Sequence, residues 1–480
     1  MRRHASHVNV IVWRIALGLA VTCSVAAASE EAAERPQRPK LQFLRFNEDW
    51  SVLRDLSEAE RSDPWDPLKY IPLEEGGESW LSLGGHLRER LESWHDFDFG
   101  AGETNDDMFL LTRLALHTDW HFGERLRVFI EGKSALATDR DLRGGRRPID
   151  VDTLDLEQAF VDLALGGPGN SQFTLRAGRQ VFSFGAERLV CPLAWSNTVR
   201  RWDGASLLAS AGEWTLHGFA SQYVPIDKHD FNDPDEDDVL FGLYTTWNRA
   251  PSGPALDLYY FGLDRTEATF NGSSGQETRH TVGTRLEGRL ASDAIDYDAE
   301  VAYQFGAVGH DEVRAHMAGI DVGYSFLDWW GTPRLHAGYE LGSGDGSAGG
   351  DVETFNQLFP LCHLYYGYAD LIGRQNNEDL SLGVGIKPVR SVAADVTAHW
   401  FERNDIDDAL YDEGGIPLRP GDASDAREIG QEIDFTITYA FDRHLSTLLG
   451  YSRFFAGDFI EESGPHDDVD FVYLQLEYMF

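Results

Sequence analysis

The stretch Val469-Asp470-Phe471-Val472-Tyr473-Leu474-Gln475-Leu476-Glu477-Tyr478-Met479-Phe480 decides the fold. Val472, Leu474, Leu476, Tyr478 and Phe480 fall on one face of an extended chain, and Tyr473, Gln475 and Glu477 on the other. Side chains alternate across a strand, so the pattern predicts a strand greasy on one side and wet on the other. A last strand of this kind, closing on Phe, is what an outer-membrane β-barrel presents.

The opposite end agrees. Arg2, Arg3 and Arg14 give positive charge, Ile15 to Val25 is a short apolar run, and Ala26-Ala27-Ala28 is a small-residue cleavage site. This is the three-part pattern of a secretory leader, with cleavage expected after Ala28. The expected organisation is a signal peptide over 1–28, a short N-terminal periplasmic segment over 29–77 and a barrel over 78–480. Residues 29–40, rich in Glu and Pro, are expected to be disordered. After the leader no run of about twenty apolar residues remains, which excludes a transmembrane helix.

Between the two ends, period-two alternation predicts about eighteen strands. Their cores are 79–94, 109–122, 125–138, 154–165, 172–180, 203–211, 213–223, 239–248, 255–264, 279–290, 295–306, 313–326, 333–343, 378–387, 391–402, 428–441, 444–455 and 469–480. In 295–306, Tyr297, Ala299, Val301, Tyr303 and Phe305 oppose Asp298, Glu300 and Gln304. A charge on the lipid face at the bilayer midplane costs about 2–4 kcal/mol, so the charged rows are assigned to the lumen. One set of gaps is short, such as Gly123-Glu124, Gly212 and Asp442-Arg443; the other is long and polar, such as 139–153, 181–202, 223–238, 344–377, 403–427 and 456–468. The two sets are read as alternating strictly. Outer-membrane barrels have short periplasmic turns and longer outside loops, so both termini are placed in the periplasm. A barrel of this size leaves an aqueous channel unless loops plug it. Trp329-Trp330 suits an interfacial girdle.

The net charge of −39 excludes a nucleic-acid partner, which wants a basic face. The acidic run Asp230 to Asp238 offers hard oxygen ligands, but it lacks the spacing and Gly of a Ca²⁺ loop and reads as solvated. There is no G-x-S-x-G, no H-E-x-x-H and no phosphate loop, so no catalytic residue, cofactor or metal site is assigned. Cys191 and Cys362 remain after cleavage; a disulfide and two buried thiols are both open readings.

In the first strand Ser82, Gly84, His86, Arg88, Arg90 and Glu92 share the polar face, while Glu89 breaks the apolar one. Neighbouring strands add Arg113 and Asp119, then Arg127, Glu131 and Lys133, then Arg176; later Arg285, Glu287 and Arg289 point inward. The second half is more acidic, with Asp298, Glu300, Asp321, Glu340, Asp395, Glu432, Asp434 and Glu477. A basic wall is expected to face an acidic wall. Arg patches attract anions in pores, and the same charges paired across strands would only solvate the lumen; both readings stand.

Two loops are more particular. One is Leu175-Arg176-Ala177-Gly178-Arg179-Gln180, running on through Gly185, Arg188-Leu189, Pro192, Trp195, Asn197-Thr198, Arg200-Arg201 and Asp203-Gly204. The other is Thr354-Phe355-Asn356-Gln357-Leu358-Phe359-Pro360, then His363, Tyr365, Gly367-Tyr368, Asp370 and Asn376. With Leu44 to Trp50 and Lys69 to Leu73, they resemble the alginate export family of outer-membrane porins, from about residue 40 onward. Members are similar to an eighteen-stranded barrel that passes an anionic uronate polymer through an Arg-lined constriction. The resemblance implies that Arg88, Arg90, Arg113, Lys133, Arg176 and Arg179 line an anion path; the inward row adds Arg285 and Arg289. Its motif-loop residues here are Asn197, Arg200, Asp203, Phe359, Pro360, His363 and Asp370. The characterised exporter plugs itself with a long periplasmic turn near its C-terminal end, whereas Asp442-Arg443 is very short. Both motif loops are expected on the outer side, long enough to fold into the lumen, where a Cys191–Cys362 disulfide would staple the constriction.

The expected protein is a non-enzymatic channel of the Gram-negative outer membrane, passing anionic saccharides or small anions. Its partners are outer-membrane lipids, the solute and, for export, a periplasmic secretion component. The other class considered is a receptor or adhesin acting through its outer loops.

Overall fold

The barrel strands begin where the polar N-terminal segment gives way to alternation, at Trp80. In this computed structural model residues 38–480 are described, apart from 58, 170 and 249–252. The expected leader and most of 29–40 lie outside the described residues. Eighteen strands make the wall: β1 Trp80–His95, β2 Asp107–Phe122, β3 Leu126–Ala137, β4 Asp152–Ala164, β5 Gln172–Gln180, β6 Trp202–Ala211, β7 Trp214–Tyr223, β8 Asp238–Asn248, β9 Ala255–Phe270, β10 Ser273–Leu290, β11 Ile295–Val308, β12 Asp311–Ser325, β13 Arg334–Gly342, β14 Asn377–Val389, β15 Val392–Arg403, β16 Glu428–Ala440, β17 Leu445–Ala456 and β18 Val469–Met479. Each pairs antiparallel with the next, and β18 returns to β1 with His86 opposite Met479 and His95 opposite Asp470. Closure leaves no free sheet edge. Among the described residues no helix is long and apolar enough to cross a membrane; the strands do so, since pairing satisfies every backbone group.

The alternation sorts the faces as expected. Leu114 and Leu116 on β2, Val301, Tyr303 and Phe305 on β11 and Leu476 on β18 are exposed on the outside. Their neighbours Arg113, Glu300, Gln304 and Tyr473 are buried inside. Glu89 does lie on the outward row, where it accepts a hydrogen bond from Thr112 Oγ at 2.7 Å.

Strict alternation of short and long connections fails at two outer connections and one inner one. The residues 265–278, outside the expected strand cores, continue β9 and β10 into a hairpin turned by Asn271 and Gly272, with φ of 34° and 90°. Positive φ at both positions is what a two-residue hairpin turn of matching twist requires. β11 and β12 also meet outside in a two-residue turn, Gly309-His310. On the inner side, the connection 326–333 is longer than a tight turn and exposes Leu327, Trp329 and Trp330.

The packed core lies inside the barrel. Loop 181–201 brings Phe182 and Phe184 against Phe219, Tyr244 and Phe261 of β7–β9, with Phe359 of loop 343–376 in the same cluster. A second cluster joins Ile372 and Phe459 to Phe401, Phe454, Phe471 and Tyr473 of β15, β17 and β18. Aromatic side chains bury large areas each, so these clusters fix the loops inward.

Candidate functional site

The two motif loops meet in the lumen. Val190 pairs with Phe359 in a parallel bridge. Phe359 N donates to Leu189 O at 2.8 Å and Cys191 N to Phe359 O at 2.9 Å. Arg200 donates to Pro360 O at 2.7 Å. His363 stacks on Trp195 with ring centroids 3.6 Å apart. Of the two open readings of the cysteines, the structure has the thiols: Cys191 and Cys362 are free and buried. Cys191 Sγ accepts from Leu193 N at 3.2 Å, and burial pushes its thiol upward.

Beneath this plate the basic wall closes on backbone carbonyls. Arg88 donates to Ala194 O, Trp195 O, Ser196 O and Asn197 Oδ1 at 2.7–3.2 Å. Arg113 donates to Ala194 O at 3.0 Å and Ser196 O at 2.9 Å. Arg90 donates to Trp195 O, lies 4.0 Å over its ring and pairs with Glu92 at 2.7 Å. Asn197 locks the loop by donating to Thr112 O, Leu136 O and Asp150 O at 2.9–3.2 Å. Arg88, Arg90 and Arg113 are only 1–2% exposed, so they form a clamp rather than an open lining.

The acidic wall closes on guanidinium groups. Arg188, from loop 181–201, reaches Asp298 at 2.6 Å, Glu340 at 2.8 Å, Asp321 at 3.3 Å and Glu300 at 3.4 Å. Arg374, from loop 343–376, adds a second bond to Glu340 at 2.6 Å. Arg201 likewise meets Asp152 at 3.0 Å and Glu157 at 3.5 Å, with Asp155 also bonded. Sequence reading assigned none of these three a role, because loop residues carry no periodicity. The available signal was that Arg188 and Arg201 lie inside the motif stretch.

The remaining basic residues sort by strand parity. Lys133 pairs with Glu157 at 2.6 Å and Asp152 at 3.4 Å. Arg176 is bidentate to Asp162, at 2.7 and 2.8 Å, and lies 3.8 Å over Phe160. Arg285 pairs with Asp257 at 3.0 Å and with Asp298 at 2.8 Å. Arg289 is exposed at the inner rim, opposite Asp296. Arg179 does not share the lumen row. Three residues from Arg176, it falls in register with Ala159, and its guanidinium turns back to Asp203 at 2.7 Å, Asn232 O at 2.8 Å and the buried Asp155 at 3.5 Å.

The segment before β1 lines the inner mouth. Phe46 packs on Phe129 and Phe160 at 6.0 and 5.5 Å and lies 4.6 Å from the Arg176 guanidinium. Phe43 lies 5.2 Å from Arg113. Arg45 donates to Gly85 O at 2.9 Å and Phe480 O at 2.8 Å, and Trp65 stacks on Phe480 at 4.2 Å. These contacts clasp the β1–β18 seam. Burial, with Arg45 nearby, pulls Lys69 down to about 7.

Outside the clamp is a cavity of about 470 Å³ between loops 138–151, 181–201, 343–376 and 404–427 and the outer end of β1. Arg90, Trp195 and Asn197 line it, with Tyr368 and Asp370 across from them. At the outer rim His95, Asp96 and Asp106 bring one ligand atom each within 4.8 Å of one another, the sole such metal-ready group among the described residues.

The family model described as alginate export matches residues 79–473. No curated protein matches the chain. Among solved structures, Pseudomonas aeruginosa OccD3 (OpdP) has a TM-score of 0.57 and 12% identity, covering 86% of this chain and 93% of that one. Acinetobacter baumannii OccAB2 has a TM-score of 0.56 and 10% identity over 83% and 98% of the two chains. Pseudomonas aeruginosa OpdK with vanillate has a TM-score of 0.56 and 10% identity over 83% and 98%. At these identities the likeness is one of fold.

Proposed function

The chain belongs to the alginate export family of Gram-negative outer-membrane channels, and from that premise we propose a passive, loop-gated channel for anionic saccharides, polyuronates among them. The observation that carries this reading is how Arg88, Arg90 and Arg113 are held. Apart from the Arg90–Glu92 pair, their partners here are uncharged loop oxygens. Carbonyl dipoles accept from the terminal N–H groups, leave each Nε–H without a partner and do not cancel the charge. An arriving carboxylate makes stronger, charge-assisted bonds to the same guanidinium groups, so it competes with loop residues 194–197. Solute binding then favours the open loop through its differential affinity for the two states. Passage of this kind needs no covalent step.

The test is single-channel conductance of the refolded protein in a planar bilayer, with the reversal potential read in a salt gradient and again with oligouronates. The expected result is anion preference and concentration-dependent block, both reduced in Arg88→Ala. Anion preference without block removes the uronate. Cation preference in the wild type removes the anion path.

A further inference from the structure

Apart from Arg90, the outer cavity carries charge that the anion reading does not use. Three cations line it, and each has a carboxylate of its own: Arg90 with Glu92 at 2.7 Å, Arg147 with Asp150 at 3.1 Å and Arg143 with Asp98 at 2.6 Å. Three further carboxylates line it as well, Asp370, Asp412 and Glu413. Arg147 reaches Glu413 only at 3.9 Å while it holds Asp150. Asp412 Oδ1 accepts the backbone N–H groups of Gly414 and Ile416 at 3.0 and 2.8 Å. Asp370 Oδ1 is buried with no hydrogen-bond partner. Such an oxygen is costly to keep, and a ligand bearing donors and positive charge would satisfy it.

We propose that this cavity binds an organic cation, a primary ammonium on an apolar body, with Asp370 and Glu413 receiving the ammonium. The body fits the aromatic part of the lining, where Trp94 stacks on Phe471 at 3.9 Å and meets Phe97 edge-on at 5.1 Å. Aromatic faces attract cations and pack apolar groups alike, and about 470 Å³ is within the range that encloses a small organic molecule. A bare Ca²⁺ fits less well, because it asks for six to eight oxygens rather than rings. Burial pushes Asp370 up to about 7, and burial with the nearby Asp370 and Asp412 pushes Glu413 up to about 8. A bound ammonium favours the ionised carboxylates, so its uptake near neutral pH releases protons. The site lies outside the Arg88 clamp and stands whether or not the deeper path prefers anions.

The experiment is isothermal titration calorimetry on the refolded full chain with phenethylamine, phenylacetate and Ca²⁺, the first two sharing a ring and opposing in charge. Phenethylamine is expected to bind saturably at pH 7.5, with proton release seen as a dependence on buffer ionisation heat. Asp370→Asn with Glu413→Gln is expected to weaken it by about tenfold or more, each variant keeping the shape of its side chain. A wild-type far-ultraviolet circular dichroism spectrum shows that the variant barrel is folded. Equal or tighter phenylacetate binding overturns the proposal. So does Ca²⁺ competing for the amine, or unchanged amine binding in the folded double variant.

Discussion

The two walls of the lumen are closed by inward loops through opposite chemistry. On the acidic wall, Arg188 and Arg374 sit among Asp298, Glu300, Asp321 and Glu340, charge against charge. On the basic wall, Arg88 and Arg113 meet uncharged loop oxygens. A buried charge stripped of its partner is strongly destabilising. A charged donor giving up a carbonyl loses less, and a carboxylate can replace that carbonyl. The difference teaches which side of the loop plate is the anchor and which is the exchangeable face.

The largest effect is therefore expected from the anchor. Arg188→Ala leaves Glu300 and Asp321 without a guanidinium, while Arg285 keeps Asp298 and Arg374 keeps Glu340, and should destabilise loop docking by about 3–5 kcal/mol. Limited proteolysis of the folded barrel should cut within 181–201, and conductance should rise. A variant as protease-resistant as the wild type would show that ion pairing does not hold this side, and the comparison would break.

The exchangeable face should give a smaller effect of another kind. Arg88→Ala removes one cation from the lumen and leaves the loop held by Arg90, Arg113 and Asn197. The reversal potential should move toward cations while the loop stays protected from protease. Asn197→Ala tests the clamp without changing charge, since its Nδ2 ties together Thr112 O, Leu136 O and Asp150 O. It should loosen the loop and leave selectivity in place. If it shifts selectivity as far as Arg88→Ala does, geometry rather than charge sets the preference.

How much of this the sequence carried follows from where periodicity reaches. In β11 the alternation of Tyr297, Val301 and Tyr303 with Asp298 and Glu300 stated both faces, and the structure agrees. Parity also held the answer for Arg179: three residues from Arg176, it must face the other way, and grouping the two was a failure to apply the rule. Asn271-Gly272 was a legible turn signal inside a stretch read as a gap. Arg188 and Arg374 were a different matter. Their partners lie 34–152 residues away in the chain, and no local pattern states such a pairing. The N-terminal clasp is legible only in three dimensions for the same reason, Arg45 meeting Phe480 across the whole barrel.

A third group of carboxylates sharpens the comparison through its smallest expected effect. Asp370 has no guanidinium of its own and Glu413 has only the 3.9 Å contact to Arg147, which Asp150 holds; Arg90, Arg147 and Arg200 act on Asp370 at longer range, together with Glu92, and Asp412 acts on Glu413. Where the acidic wall meets its charge with arginine, these two meet it with protons, and burial raises them to about 7 and about 8. In a released loop each would titrate near its ordinary value of about 4. Between about pH 4 and pH 8 the docked state thus holds more protons than the released one, so docking weakens as pH rises across that window and is flat below it. The channel should open more often at pH 9 than at pH 5, and Asp370→Asn with Glu413→Gln should remove the part of that slope above about pH 6, where Asp408, also raised by burial, titrates. The Arg188 anchor should show no such slope, since its guanidinium stays charged throughout. A pH dependence above about pH 6 that persists in the double variant would mean that some other group controls docking, and that carboxylates without arginine are not where this lumen senses protons.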